Sequence, residues 1–142
     1  MNTYAQALVK SHEGCKFQSY KDLGGLWTIG WGSTGPDIIG GMTWTQEQCD
    51  ARLSFDIGRV EVAVRKSLRR TLSDMSVGAL LDFAYNLGSG ALASSHLLQC
   101  VNSGDDVGAA KQFIVWDHVG TDEVKGLLIR RLEEAVLYLK GV

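Results

Sequence analysis

The sequence predicts an α+β fold, predominantly α, in which a small N-terminal β-hairpin lobe is joined by a long helix to a helical lobe. Three observations predict it. Eight of the 17 glycines, with the one proline (Pro36), lie between residues 14 and 41, a density that suits turns and short strands. Within that stretch, residues 26–31 alternate in strand fashion, with Trp27, Ile29 and Trp31 on one face and Thr28 on the other. From Thr45 onward, apolar residues recur at helical spacing. The 142 residues make one domain, 1–142. It divides into a β-containing lobe at about 14–44, a connecting helix at 45–68, and a helical lobe at 69–142 packed with a first helix at 3–13.

That first helix, Thr3 to Glu13, places Tyr4, Leu8 and His12 on one face, with Gly14 as its stop. Residues 17–20 lead into the turn cluster at 22–25 and return along 26–31, a hairpin. Thr45 followed by Gln48 is a capping-box start. Behind it, Cys49, Leu53, Ile57, Val60, Val64 and Leu68 form a sustained stripe, interrupted on another face by Gly58, where a bend is expected. A helix from about Ser73, nearly apolar over 77–87 and stopped by Gly88, suits a buried central position. Helices at 95–102 and 105–118 follow. The last, 123–140, is expected to bury Leu128, Leu132, Ala135, Val136 and Leu139.

Composition narrows function. The chain is 45% hydrophobic and 21% charged with a net charge of −2, an ordinary globular balance without a basic nucleic-acid footprint. No stretch has the length of a membrane span, and the N-terminus has neither the basic lead nor the apolar run of a signal peptide or signal-anchor. The three cysteines, Cys15, Cys49 and Cys100, lack metal-ligand spacing and are expected as reduced thiols. The basic run Arg59–Arg70 is expected as a solvated face that could attract an anionic wall, and Arg130 and Arg131 as surface or interlobe ion-pairing groups.

Glu13 is the most informative position. An anion ending a helix opposes the macrodipole by roughly 0.3–1 kcal/mol. Beside Phe17, Trp27 and Trp31, such a carboxyl is expected to be partly desolvated and its pKa raised, as a general acid requires. Asp22 lies at the hairpin turn, where aspartate also serves turn chemistry. Two carboxylates across a groove are the minimum for glycoside hydrolysis, one protonating the leaving oxygen and the other orienting water. Thr28, if it faces the same groove, would help hold that water. A Cys/His amidase built on Cys15 with His12, His96 or His118 lacks an orienting third group.

Glu13, Asp22 and Thr28 form E-x8-D-x5-T inside HEG…YKD-x-GG-x-WTIGWG, which resembles the phage-type lysozyme (endolysin) family, glycoside hydrolase family 24. The likeness continues in order through residues 78–92, 94–105, 109–116 and 126–138. It implies a lysozyme-like fold that binds bacterial peptidoglycan between its lobes. It also implies hydrolysis of the β-1,4 bond between N-acetylmuramic acid and N-acetylglucosamine, with inversion and without metal or organic cofactor. By the same resemblance Glu13 is the general acid, Asp22 and Thr28 position the water, and Thr34, Tyr85, Asn86 and His96 are candidate glycan contacts. A monomer held in the host cytoplasm until a holin opens the membrane follows from the family, with no nucleic-acid partner and no stable membrane insertion. The alternatives are a lytic transglycosylase and a non-catalytic wall-binding or virion module. One departure is visible: Ser33 stands where the family often has His, so a His–carboxylate brace across the cleft is expected to be missing, and Trp31 replaces Tyr.

Overall fold

The computed structural model describes residues 1–119 and 122–142, with the side chains of 119, 122 and 123 set aside. Helix α1 spans Thr3–His12, and the Asn2 side chain caps it by accepting from the Ala5 N–H at 2.9 Å. The chain leaves the helix at Glu13, which is extended (φ −93°, ψ 128°) while its N–H still closes the last turn on Val9. Strands β1 (Lys16–Lys21) and β2 (Trp27–Gly30) pair antiparallel, with Tyr20 opposite Thr28 and Lys21 opposite Trp27. Asp22 builds the turn between them: its Oδ1 accepts from the N–H groups of Gly24 (2.8 Å) and Leu26 (2.9 Å). Gly30 ends β2 with φ +66°, so Trp31 lies in the following turn and not on the strand face that alternation assigns it.

Helix α2 (Gln46–Ser67) begins with the expected capping box on Thr45 and Gln48 and runs unbroken through Gly58. It buries Cys49, Leu53, Ile57 and Val64. Helix α3 (Asp74–Leu87), capped by Ser73, is the central element, packed against α1, α2 and α7. Its Leu80, Leu81 and Phe83 are almost fully buried, each such side chain contributing roughly 1.5–3 kcal/mol relative to exposure. Short helices α4 (Ser89–Ala93), α5 (His96–Ser103) and α6 (Asp106–Ile114) close one end of the core. Phe83 meets Phe113 and Trp116 edge to face at 5.8 and 5.5 Å. The helix expected over 105–118 stops at Ile114, and two short strands paired antiparallel, β3 (His118–Val119) and β4 (Asp122–Glu123), precede α7 (Lys125–Gly141). No helix among the described residues is long and apolar enough to cross a membrane, and all three cysteines are free thiols.

Two helices turn differently from their patterns. On α1 the inward face is Ala5 and Val9, while Tyr4 stays 37% exposed and Leu8 and His12 half-buried. Small residues face inward because α3 presents Gly78, where an added Cβ would stand 2.7 Å from the Tyr4 Cβ. On α7, Arg130, Arg131, Glu134, Ala135 and Tyr138 are buried, whereas Leu132, Val136 and Leu139 are 42%, 53% and 43% exposed and Leu128 is half-buried. Of the expected stripe only Ala135 goes inside. The inward charges are tolerated because each meets an opposite charge: Arg130 meets Asp82 of α3 and Glu13 just past α1, and Arg131 meets Glu134 within α7.

Candidate active site

The extended backbone at Glu13 throws its side chain off the end of α1 toward the hairpin. One carboxylate oxygen, Oε1, accepts a 2.8 Å hydrogen bond from Arg130 Nη1. The other, Oε2, lies over Gly32, where a Cβ would come within 3.1 Å of it, and Gly32 has φ +87°. Glycine is required there twice, for the backbone angle and for the close approach of the carboxylate.

Glu13, Asp22 and Thr28 line one cavity of about 310 Å³, together with Tyr20, Thr34, Tyr85 and Asn86. Thr28 is 4% exposed, and its hydroxyl donates to the Leu26 carbonyl at 3.1 Å, which leaves the oxygen's lone pairs to accept from a bound molecule. Asp22 commits Oδ1 to the turn, leaving Oδ2 as an acceptor. Tyr20, which the sequence reading missed although it lies in the YKD motif, has its phenol pKa raised by burial and by the carboxylates of Glu13 and Asp22.

Tyr85 is fixed from the far wall. Its hydroxyl donates to the Trp31 carbonyl at 2.7 Å, and burial pushes its pKa up. Asn86 accepts from Arg131 Nη2 at 2.9 Å through Oδ1, which directs its amide nitrogen elsewhere. A second cavity of about 410 Å³, lined among others by Ser33, Asp56, Arg59 and Gly88, adjoins the first, sharing Gly32, Thr34 and Tyr85 with it. His96 lines neither cavity: it is the exposed first residue of α5, and the structure does not bring it to the other six. Where a His–carboxylate brace was expected to be lost, Ser33 donates to Asp56 Oδ2 at 2.7 Å, and Asp56 is held in turn by Arg52 at 2.9 Å.

Behind Glu13 lies a buried charge cluster. Arg130, 4% exposed, donates from Nε and Nη2 to the two oxygens of Asp82 at 2.8 and 2.7 Å. Arg131, fully buried over the Phe83 ring, pairs with Glu134 at 2.7 Å. Burial opposes the charge on Arg130, but Asp82 and Glu13 more than offset it and raise its pKa. Burial also works against Asp82, yet the Arg130 guanidinium holds that carboxyl below its ordinary value. Glu134 is driven the other way, upward, by burial and by neighbouring Asp82. Ion pairing of both arginines is as expected from sequence, while a surface position is not: they are interior groups.

A carboxyl held by a guanidinium, sharing an open cavity with a second carboxylate and a hydroxyl, is the equipment of a glycoside hydrolase. Comparison with known proteins agrees. The phage lysozyme family profile matches residues 10–134. The SAR-endolysin of Enterobacteria phage P21 is 36% identical over 129 residues, 91% of this chain and 78% of that protein. Among solved structures, a point mutant of P22 lysozyme superposes with TM-score 0.84 at 33% identity, covering 96% of both chains. The muramidase domain of SpmX from Asticaccaulis excentricus superposes with TM-score 0.89 at 30% identity over 96% of this chain and 95% of that one. The chain belongs to the phage lysozyme family.

Proposed function

We propose that this chain cleaves bacterial peptidoglycan at the β-1,4 bond between N-acetylmuramic acid and N-acetylglucosamine, in the service of host-cell lysis. Glu13 protonates the leaving oxygen from Oε2, the oxygen that Arg130 leaves free. The carboxylate that remains is stabilised by that guanidinium. Asp22 Oδ2 and Thr28 Oγ1 orient the attacking water on the opposite side of the sugar ring, which gives inversion. Thr34, Tyr85 and Asn86 contact the glycan along the groove. The observation that carries this reading is that Glu13, Asp22 and Thr28, contributed by the end of α1, the hairpin turn and β2, open into one cavity. The same reading has the protein wait in the host cytoplasm as a monomer and reach the wall once a holin opens the membrane.

The product profile tests it. Digested wall analysed by mass spectrometry should carry reducing muramic-acid ends, and Glu13→Gln should keep the fold and glycan binding while losing turnover by a factor of about 10²–10⁴. Anhydro-muramyl ends would instead show a transglycosylase. Equal clearing of permeabilised cells by wild type and Glu13→Gln would overturn the assignment.

A further inference from the structure

Helix α3 carries one carboxylate, Asp82, inside the run Val77–Ala84, and it is 0% exposed. A buried ion pair is a weak source of stability, since well-packed apolar residues of similar volume often do as well or better. The geometry of Asp82 is more specific than neutralisation requires. It fills the Nε/Nη2 edge of Arg130 with two hydrogen bonds, of 2.8 and 2.7 Å. A planar guanidinium clamped along that edge has its remaining Nη1 direction fixed, and it is Nη1 that meets Glu13 Oε1 at 2.8 Å. Glu134, at 4.0 Å from Arg130 Nε, is outside hydrogen-bond distance and cannot set that direction.

We propose that Asp82 is a positioning residue for the reaction: by gripping Arg130 edge-on it aims the guanidinium that occupies Glu13 Oε1 and so presents Oε2 to the groove. This rests on Glu13 being the proton donor. Asp82 touches no reacting atom and acts through Arg130 alone.

The test is steady-state kinetics on peptidoglycan with Asp82→Asn, whose amide offers one acceptor where the carboxylate offers two. Because the loss is in aim, kcat should fall roughly 10–100-fold while KM stays within about twofold. Ser76→Ala is the control. It removes the 2.9 Å hydrogen bond from Ser76 Oγ to the Tyr138 carbonyl, which also ties α3 to α7 but lies outside the charge cluster. It should lower Tm and leave kcat per folded molecule unchanged. If Asp82→Asn lowers Tm but keeps kcat per folded molecule, its role is structural and the proposal fails. Should Asp82→Asn not fold, Arg130→Lys keeps a charge near Glu13 without the fork, and wild-type kcat in that variant would equally overturn the proposal. Glu13→Gln run alongside separates the two readings. Turnover by Glu13→Gln sinks the proton-donor assignment, whereas a dead Glu13→Gln beside a fully active Asp82→Asn sinks only the positioning role.

Discussion

Ser33 and Asp56 share a 2.7 Å hydrogen bond that ties the turn after β2 to the middle of α2. Ser33 is 1% exposed, and Asp56 passes the contact on to Arg52, which reaches Asp37 and the Thr34 carbonyl. The groove wall is therefore braced by a hydroxyl that does not titrate in the working range. Ser33→Ala leaves a charged acceptor short of one donor, and we expect a loss of about 1–3 kcal/mol, read as a lower Tm in a thermal melt. The loss should be the same at pH 5 and pH 8, because no imidazole takes part.

Gly32→Ala should damage both stability and activity. The φ of +87° strains any L side chain, and the added methyl would lie 3.1 Å from Glu13 Oε2. We expect a cost of about 1–2 kcal/mol from the backbone and, on the proposed role of Glu13, a fall in kcat of roughly tenfold or more from displacement of its carboxyl. A variant with lowered Tm but full kcat would mean that Glu13 tolerates the displacement.

Gly58→Ala should do the opposite. Gly58 is an exposed interior position of α2, and an added Cβ there meets no heavy atom within 4 Å. Replacing glycine in such a place stabilises by about 0.5–1 kcal/mol. With α2 unbroken at this point, kcat should be unchanged. A rise in Tm accompanied by a fall in kcat would show that the helix flexes there during turnover.

Acid should weaken the contact between α7 and α6. Asp106 accepts from Tyr138 at 2.7 Å and from Arg70 at 2.8 Å, and these bonds, Tyr138 foremost, hold its carboxyl below the ordinary value. A depressed carboxyl contributes stability that is complete above its unfolded pKa of about 3.9 and is lost as pH falls through the folded one. Asp106→Asn should therefore melt earlier than wild type at neutral pH, with the gap in Tm constant down to about pH 5 and closing below about pH 4. A gap that persists undiminished in acid would assign the difference to packing.

Local signals made much of this legible in advance. Thr45 with Gln48 marked the start of α2, the stripe from Cys49 to Leu68 marked its length, and the motif holding Glu13, Asp22 and Thr28, read through its family resemblance, picked out three residues that line one cavity. What stayed hidden depends on partners far away in the chain. Periodicity sends the leucines of α7 inward, because a lone buried charge is prohibitive. It cannot see that Asp82 and Glu13 stand ready to neutralise Arg130 from 48 and 117 residues away. The paired arginines beside leucines at 127–132 were the one available hint. Short elements such as α4, β3 and β4 carry too few residues to establish a period.

The contact between Arg130 and Glu13 spans 117 residues, and α7 leaves the ribosome after every other described element. A growing chain thus exposes Glu13 early and receives the guanidinium that pairs with it only once α7 has emerged. Fragments that stop short of Arg130, whether from stalled ribosomes or from proteolysis within α7, would hold Glu13, Asp22 and Thr28 and lack the partner that fixes the Glu13 carboxylate. In this fold the setting of that carboxylate is completed only by the last described helix.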